Sequence, residues 1–310
     1  MMERGMNKVI IVTRKTRLQE LIKKYNTKEQ AKFYIEHMGA DFSDYTLEDA
    51  HYQSALELVK STAEKYARTQ IIDREFVPNM IFGEKDIIVA LGQDGLVANV
   101  MKYLHGQPLI GVNPDTQRWD GVLLPFVAEE IEGILLKVIG GKYNVKQVTM
   151  AKASSKDGQT LYAVNDLFIG INNHTSARYN LTYRGITENQ SSSGIIVSTG
   201  LGSTGWYKSI MAQMDGMAKV FGLGKLNNKE ISWNADVLMF NVREPYPSKF
   251  TQADIVYGML EKNEEIVILS KMPENGIVFS DGIEHDNIVF NSGMEIKIQI
   301  AEKKGTLVTW

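Results

Sequence analysis

Short, continuous runs of apolar residues alternate with segments of helical periodicity along the first half of the chain. Residues 8–13, 86–91 and 108–113 are typical of strands that are buried on both faces. Between the last two runs, apolar residues recur at helical spacing from Leu96 to Leu104. This strand–helix–strand order predicts an α/β domain with an open, mostly parallel sheet.

Capping residues predict where the helices of this half begin. Residues 16–37 have the pattern of two helical pieces with a break near Asn26, where Thr27 would cap the second piece. Thr46 and Asp49 have the spacing of a capping box before the next helix. Pro125 is placed for the first turn of a helix that continues to the glycine pair at residues 140–141.

Strand-like segments dominate after Lys142. They are residues 144–150, 160–169, 178–183, 195–199, 236–242, 265–269, 276–279 and 294–300. Residues 206–221 form the one substantial helical pattern of this half. We therefore predict an α/β domain over residues 1–141 and a β-rich domain over residues 142–310, with a C-terminal tail able to pack back on the first domain.

The composition narrows the class of protein and its partners. The chain has 310 residues, 44% apolar content, a formal charge of −3 and no cysteine. The absence of cysteine excludes disulfides and thiolate chemistry, and the lack of a basic excess argues against nucleic acid as a partner. The first residues are polar, and no apolar run reaches the length of a membrane span. We expect a soluble, cytoplasmic protein without a membrane partner.

Two glycine-rich turns carry the candidate chemistry. The first, G-Q-D-G at residues 92–95, follows the second buried run at the edge where open α/β sheets bind ligands. The second, S-T-G-L-G-S-T-G-W at residues 198–206, lies between a β-branched run and the helical pattern. A strand, a glycine turn and a helix start together present backbone N–H groups to phosphate oxygens. Taken alone, the second stretch is equally compatible with a hairpin turn.

Four motifs occur in an order that resembles the NAD kinase family, in the superfamily that includes diacylglycerol kinases and phosphofructokinases. They are G-Q-D-G, N-D-L-F-I-G at residues 165–170, S-T-G-L-G-S-T-G-W, and F-S-D-G at residues 279–282. A loop with Asp115, Arg118 and Gly121 before L-L-P is similar to the mitochondrial-type branch of that family.

The resemblance implies an active site in the cleft between the two domains. It implies ATP with a divalent metal, Mg²⁺, as donor and the adenosine ribose 2′-hydroxyl of NAD as acceptor, which is a step of NADP biosynthesis. Asp94 matches the family's catalytic aspartate, the base that takes the hydroxyl proton. Without the resemblance, Asp94 reads as a cap of the helix that follows. The resemblance also implies a homo-oligomer, which we expect to be a dimer.

The same resemblance assigns the nucleotide contacts and leaves the metal ligands unassigned. Asn165 and Asp166 match an Asn-Glu pair that holds the adenosine part of NAD, with an acid that is one methylene shorter here. Trp206 stands where the family has tyrosine, and a core role for it is equally open. The implied nucleotide-binding residues are Gly92, Gly95, Asn165, Asp166, Thr199, Gly202, Ser203, Thr204, Gly205, Trp206 and Ser209.

Departures from the family pattern keep two further functions open. Gln93 replaces the second glycine of the first turn, and Leu96 replaces a threonine, so a side chain is added and a hydroxyl is lost. These changes would fit a superfamily kinase that acts on a lipid or a sugar. They would also fit a dinucleotide-binding protein with little turnover.

Overall fold

The computed structural model describes residues 8–224 and 231–310. The polar start of the chain, residues 1–7, on which the expectation of a cytoplasmic protein partly depends, lies outside the described residues. The chain divides into two compact units, Met1–Lys146 with Thr306–Trp310, and Gln147–Gly305. The boundary predicted from the sequence falls a few residues before that division. Among the described helices, none combines the length and the apolar character needed to cross a membrane.

The first unit is an α/β fold. Its strands are β1 (Lys8–Thr13), β2 (Arg68–Asp73), β3 (Ile87–Leu91), β4 (Leu109–Asn113) and β5 (Phe126–Val127). Its helices are α1 (Arg17–Tyr25), α2 (Lys28–His37), α3 (Ser43–Tyr66), α4 (Asp94–Met101) and α5 (Ile131–Ile139). The strands pair in parallel in the order β2-β1-β3-β4, and β5 also pairs with β4. The prediction of a mostly parallel α/β sheet is confirmed.

Burial on both faces explains the continuous apolar runs of these strands. Val9 and Val89 pack in one core with Val59 of α3 and Leu135 of α5, while α4 packs on β3 and β4. Every residue of β3 is buried, as is typical of a central parallel strand. The central strands β3 and β4 contain no charged residue, and Asp94 and Asp115 follow their carboxyl ends.

Two of the three helix starts differ from the prediction. Thr27 caps α2 as predicted, because its side chain accepts a hydrogen bond from the Gln30 N–H. The capping box at Thr46 is wrong: α3 begins at Ser43, and the Thr46 hydroxyl donates to the Ser43 carbonyl inside the helix. The helix start at Pro125 is also wrong, since the next residues pair with β4 as β5 before a 3₁₀ turn and α5 follow.

The second unit is β-rich, as predicted. The strands that lie wholly or mainly in it are β6 (Asn144–Ser155), β7 (Thr160–Ala163), β8 (Asp166–Ile171), β9 (Ala177–Tyr183), β10 (Ile186–Ser192), β11 (Ile195–Ser198), β12 (Val237–Val242), β13 (Tyr257–Glu261), β14 (Glu265–Ser270), β15 (Gly276–Ser280), β16 (Ile283–Val289) and β17 (Glu295–Thr309). Helix α6 spans Trp206–Val220. One antiparallel sheet has the order β13-β12-β11-β8-β15-β16, and antiparallel pairing joins β10, β9, β14 and β17 in another.

Successive side chains of β11 point alternately to the core between the two sheets and to helix α6. Ile195 and Val197 pack with side chains of the other sheet, such as Ile268. Ile196 points the opposite way and packs with Phe168 and with Ile210 of α6. Because both faces are covered, the strand has the continuous apolar sequence that its pattern indicated.

Three strands of this unit, β10, β13 and β16, were not predicted from the sequence. Each lies at the edge of its sheet, where one side of the strand lacks a neighbour and polar residues are common. The predicted single strand over residues 160–169 is two strands, β7 and β8. It breaks at Val164 and Asn165, whose N–H groups bind a side chain of another turn.

Candidate functional site

The first candidate site is the turn that follows β3. The buried strand ends at Leu91, and α4 begins at Asp94 with Gln93 as its N-cap, which makes no side-chain capping bond. The first N–H groups of a helix have no acceptor within the helix, and the helix dipole places partial positive charge there. The turn therefore offers donors at the carboxyl edge of the sheet.

Asp94 is held by a neighbouring loop and does not cap its own helix. Its Oδ1 accepts a hydrogen bond of 2.6 Å from the Leu123 N–H, and the residue is only partly buried. The alternative that Asp94 serves as a helix cap is therefore not what the geometry shows. The loop thus binds one of the two carboxylate oxygens of Asp94.

Close packing of the loop over residues 114–123 fixes this arrangement. Gly111 allows the approach, because a Cβ there would lie 2.1 Å from the Leu123 carbonyl oxygen. Within the loop, Asp115 accepts from His51 at 3.0 Å, and the Arg118 guanidinium donates to both carboxylate oxygens of Asp44. Burial is the largest single influence on Asp115 and opposes its ionisation, but the hydrogen bond and charge of His51, the Gln117 N–H and the charge of Arg118 together lower the pKa of this carboxyl.

The second glycine turn is internally hydrogen-bonded. After β11, residues 202–204 form a 3₁₀ turn, and α6 starts at Trp206. The N–H groups of Gly202, Ser203, Thr204 and Gly205 all bind acceptors inside the turn. The Ser203 and Thr204 hydroxyls donate to carbonyls of the same turn. The expectation that this turn presents these donors to a phosphate is therefore wrong, because the 3₁₀ turn uses them.

Thr199 and Gly202 instead support the segment next to the turn. The buried Thr199 hydroxyl donates to the Val164 carbonyl at 2.6 Å, and the Thr199 N–H binds the Asn165 carbonyl. A Cβ on Gly202 would lie 2.1 Å from the Asn165 carbonyl oxygen. Only glycine allows this approach, so the turn and the Asn165 segment pack directly together as one piece.

That piece borders a cavity of about 190 Å³, which we call the Asp166 cavity. Five of the predicted nucleotide-binding residues, Asn165, Asp166, Thr204, Gly205 and Trp206, line it. The sequence did not single out the other lining residues as ligand contacts; they are Phe168, Phe279, Asp281 and Gly282. Alternation along β8 could have identified Phe168, because residues 166 and 168 face the same side of a strand.

Asp281 positions the floor of the Asp166 cavity. Its carboxylate accepts hydrogen bonds from three successive N–H groups, those of Val164, Asn165 and Asp166, at 3.1, 2.7 and 3.3 Å. Its φ of +53°, followed by +73° at Gly282, forms the tight turn between β15 and β16, where Asp-Gly is favoured. The F-S-D-G motif thus acts through the backbone that carries Asn165 and Asp166.

The carboxyl of Asp166 has unusual electrostatics. Burial raises its pKa to about 7, a short hydrogen bond from the Ser198 hydroxyl opposes the rise, and the charge of Asp281 adds to it. A carboxyl with such a pKa changes its protonation near neutral pH. It can therefore accept as an anion or donate as an acid, according to the pH.

Trp206 forms the aromatic wall of the cavity. Its ring stacks on Phe168 with centroids 5.9 Å apart and planes 8° apart, and the Arg243 guanidinium lies 5.3 Å from its centroid. The residue is 37% exposed, so one part of the ring is buried and another is accessible. Trp206 and Ser209 also line a neighbouring cavity of about 470 Å³ along α6.

Among residues 8–224 and 231–310, no group of three His, Asp or Glu side chains could hold a metal ion by itself. A magnesium ion bound mainly through substrate phosphates needs only one or two carboxylates. The described residues therefore assign no metal ligands.

Part of the chain is similar in sequence to proteins named NAD kinase. The chain is 30% identical over 132 residues to the NAD kinase of Cupriavidus pinatubonensis and 29% identical over 131 residues to that of Cytophaga hutchinsonii. Each alignment covers 40% of this chain, and the chain spans 42% and 44% of the length of these relatives. No protein-family model matches the chain.

Comparison with solved structures extends over nearly the whole chain. The structure of yeast NADH kinase in complex with NADH matches with a TM-score of 0.61, at 14% identity, covering 99% of this chain and 84% of that one. An NAD kinase from Archaeoglobus fulgidus in complex with ATP matches with a TM-score of 0.56, at 16% identity, covering 97% and 93%. The resemblance to the NAD kinase family is therefore confirmed: the chain has the fold of NAD and NADH kinases, and two fifths of its sequence is similar to NAD kinases.

Proposed function

We propose that this protein transfers a phosphoryl group from ATP to the adenosine ribose 2′-hydroxyl of NAD. The observation that carries the proposal is the Asp166 cavity, where an amide, a carboxyl and an aromatic wall meet in a fold shared with NAD and NADH kinases. These are the groups that a nucleoside requires, since it offers ribose hydroxyls, an adenine edge and a flat ring.

In this proposal, Asn165 and Asp166 recognise the adenosine of NAD. The Asn165 side chain can both donate to and accept from an adenine edge, and the ionised Asp166 can accept from two ribose hydroxyls. Trp206, supported by Phe168, would lie against a ring of the dinucleotide. Asp281 would act as a positioning residue, because it fixes the backbone of both polar residues.

The proposal gives Asp94 the role of general base. Phosphoryl transfer requires mainly positioning and charge neutralisation, plus a carboxylate beside the attacking hydroxyl. The Leu123 N–H orients the Asp94 carboxylate, and the turn around it offers helix N-terminal donors for phosphate oxygens. Gly92 and Gly95 belong to the same turn and would lie close to those phosphates.

Magnesium would neutralise phosphate charge when bound with ATP. Magnesium as the metal, a homodimer and a cytoplasmic location stay predictions made from the sequence.

A coupled assay tests the proposal. The purified chain is incubated with magnesium ATP and either NAD or NADH, and the product is measured with an NADP-specific dehydrogenase. We expect NADP or NADPH to form, and to be lost in Asp94→Asn. Calorimetric binding of NAD without any product would instead favour a dinucleotide-binding protein. Phosphorylation of a lipid or a sugar but not of NAD would favour the other superfamily function.

A further inference from the structure

The loop over residues 114–123 carries a sequence motif to which the function proposed above assigns no role. The motif residues are Asp115, Arg118 and Gly121. At the end of this loop, Leu123 donates its N–H to Asp94 Oδ1 at 2.6 Å. The position of the Asp94 carboxylate therefore depends on the contacts that hold the loop.

Arg118 joins the loop to α3. Its Nη1 and Nη2 donate to the two carboxylate oxygens of Asp44, in the first turn of α3, at 3.1 and 2.5 Å. In this two-bond arrangement the planar guanidinium fixes direction as well as distance. The hydrogen bonds from Arg118 and Arg17 lower the pKa of Asp44, so the pair is charged at neutral pH.

A second attachment to α3 lies at the beginning of the loop. His51 of α3 contacts Asp115 Oδ2 at 3.0 Å, and Arg118 Nε lies 3.5 Å from the same oxygen. The Arg118 and Trp119 N–H groups both bind the Asp115 carbonyl at 3.2 Å. Arg118 therefore connects the first half of the loop with α3 through both its side chain and its backbone.

Two further contacts extend this anchoring to the end of the loop. The Trp119 carbonyl accepts from the Asn113 side chain at 3.0 Å, and the Leu124 N–H binds the Gly121 carbonyl at 3.0 Å. Gly121 has a φ of +69°, and a Cβ there would lie 2.7 Å from the same Asn113 amide. The second half of the loop is closely packed, so a displacement of its middle would displace its end.

We propose that the Arg118–Asp44 ion pair positions the loop so that the Leu123 N–H orients the Asp94 carboxylate for catalysis. The inference rests on the kinase function proposed above, in which Asp94 is the base. Arg118 and Asp44 are positioning residues, because they act through the loop. Their side chains are 22% and 45% exposed. Exposed ion pairs contribute little to stability, so loss of this pair should affect the rate more than the folding.

Kinetics of the full chain with Arg118→Gln tests the proposal. We expect kcat to fall about 10–100-fold because the base is misplaced, while KM for NAD and the urea unfolding midpoint change little. Arg118→Lys keeps the charge without the two-bond geometry and should recover part of the loss. The matched control is Arg184→Gln, which removes the two-bond pair of Arg184 with Glu264 and should keep full activity.

A double-variant cycle identifies the residue through which Arg118 acts. In the Asp94→Asn background, Arg118→Gln should lower the rate no further, because the base is already absent. Losses that multiply in the double variant, or an unchanged kcat in Arg118→Gln, would overturn the proposal.

Hydrogen exchange of the Leu123 amide, followed by NMR, gives a readout that does not require activity. We expect protection in the unchanged protein and in Arg184→Gln, and exchange at least about tenfold faster in Arg118→Gln. Equal exchange in the three proteins would overturn the proposal whatever reaction the protein catalyses. Protection of Leu123 that depends on Arg118, in a protein that forms no NADP or NADPH, would support the positioning of Asp94 and contradict the kinase function alone.

Discussion

The two glycine turns have similar sequences but different physical properties. Each follows a buried strand and precedes a helix. The turn at residues 92–95 leads directly into α4, so the first N–H groups of a helix lie beside Asp94. In the turn at residues 202–205, a 3₁₀ turn consumes the N–H groups, and the polar groups that line the cavity come from the neighbouring Asn165 segment.

Charge distinguishes the two regions as well. Basic side chains line a hollow at the end of the first sheet, and Gln93 of the first turn lines the same hollow. The Asp166 cavity is lined by two carboxyls and aromatic rings, without a basic residue in its lining. The same local pattern thus lies in different electrostatic surroundings according to what the fold packs around it.

The largest expected effect tests the role of the first turn. Asp94→Asn keeps an oxygen that can accept from the Leu123 N–H, but it removes the base, so we expect turnover to fall about 10²–10⁴-fold. NAD affinity and the unfolding curve should change little. Asp86→Asn, at the opposite end of β3, is the control and should retain full activity. An unchanged rate in Asp94→Asn would remove this carboxylate from the chemistry.

A second prediction tests the electrostatics of the Asp166 cavity. The pKa of Asp166 is about 7 in the folded protein against an ordinary 3.8, so the folded state binds one more proton between these values. Its contribution to the free energy of unfolding is therefore present below about pH 4 and is lost as the pH rises to about 7. Between pH 5 and pH 8, this group should lower the free energy of unfolding of the unchanged protein by about 2–3 kcal/mol, as measured with urea. Asp166→Asn should abolish that part of the pH dependence. The exposed Asp254→Asn should keep the decline, and the same decline in both variants would contradict the assigned pKa.

A third prediction separates close packing from flexibility in the second turn. Gly202→Ala places a Cβ against the Asn165 carbonyl oxygen, so we expect a loss of about 1–3 kcal/mol of stability and weaker NAD binding. Gly216→Ala in α6 has no atom within 4 Å of the new Cβ and should raise stability by about 0.5–1 kcal/mol. Thermal unfolding and NAD titration measure both, and a fully tolerated Gly202→Ala would show that the turn is not rigid.

The smallest expected effect concerns the coupling of Asp281 to Asp166. Asp281→Asn removes a charge that raises the pKa of Asp166, so the pH midpoint of NAD binding should move to lower pH. One of the three N–H bonds would also be lost, at a cost of about 1 kcal/mol in stability. Glu284→Gln, an exposed neighbour, is the control. If Asp281→Asn lowers the stability but leaves the pH midpoint of NAD binding unchanged, the role of Asp281 is structural only.

Hydrophobic patterning predicted most of the central elements but not the edges. The strands β1, β3, β4 and β11 are buried on both faces, so their apolar runs carry the signal directly. The edge strands β10, β13 and β16 lack a continuous apolar run and were missed. The capping box at Thr46 and the helix start at Pro125 were wrong because tertiary pairing and packing outweigh short local signals.

The sequence by itself determined the class of the fold, the order of the motifs and the residue types that a nucleotide site needs. Only the tertiary structure showed that Asp281 fixes the Asn165 segment, that the second turn uses its own N–H groups, and that Arg118 joins the loop of residues 114–123 to α3. The physical reason is that periodicity reports which faces of an element are buried. The acceptor that each donor finds, and the pKa that burial and charge produce, depend on contacts between residues far apart in the chain.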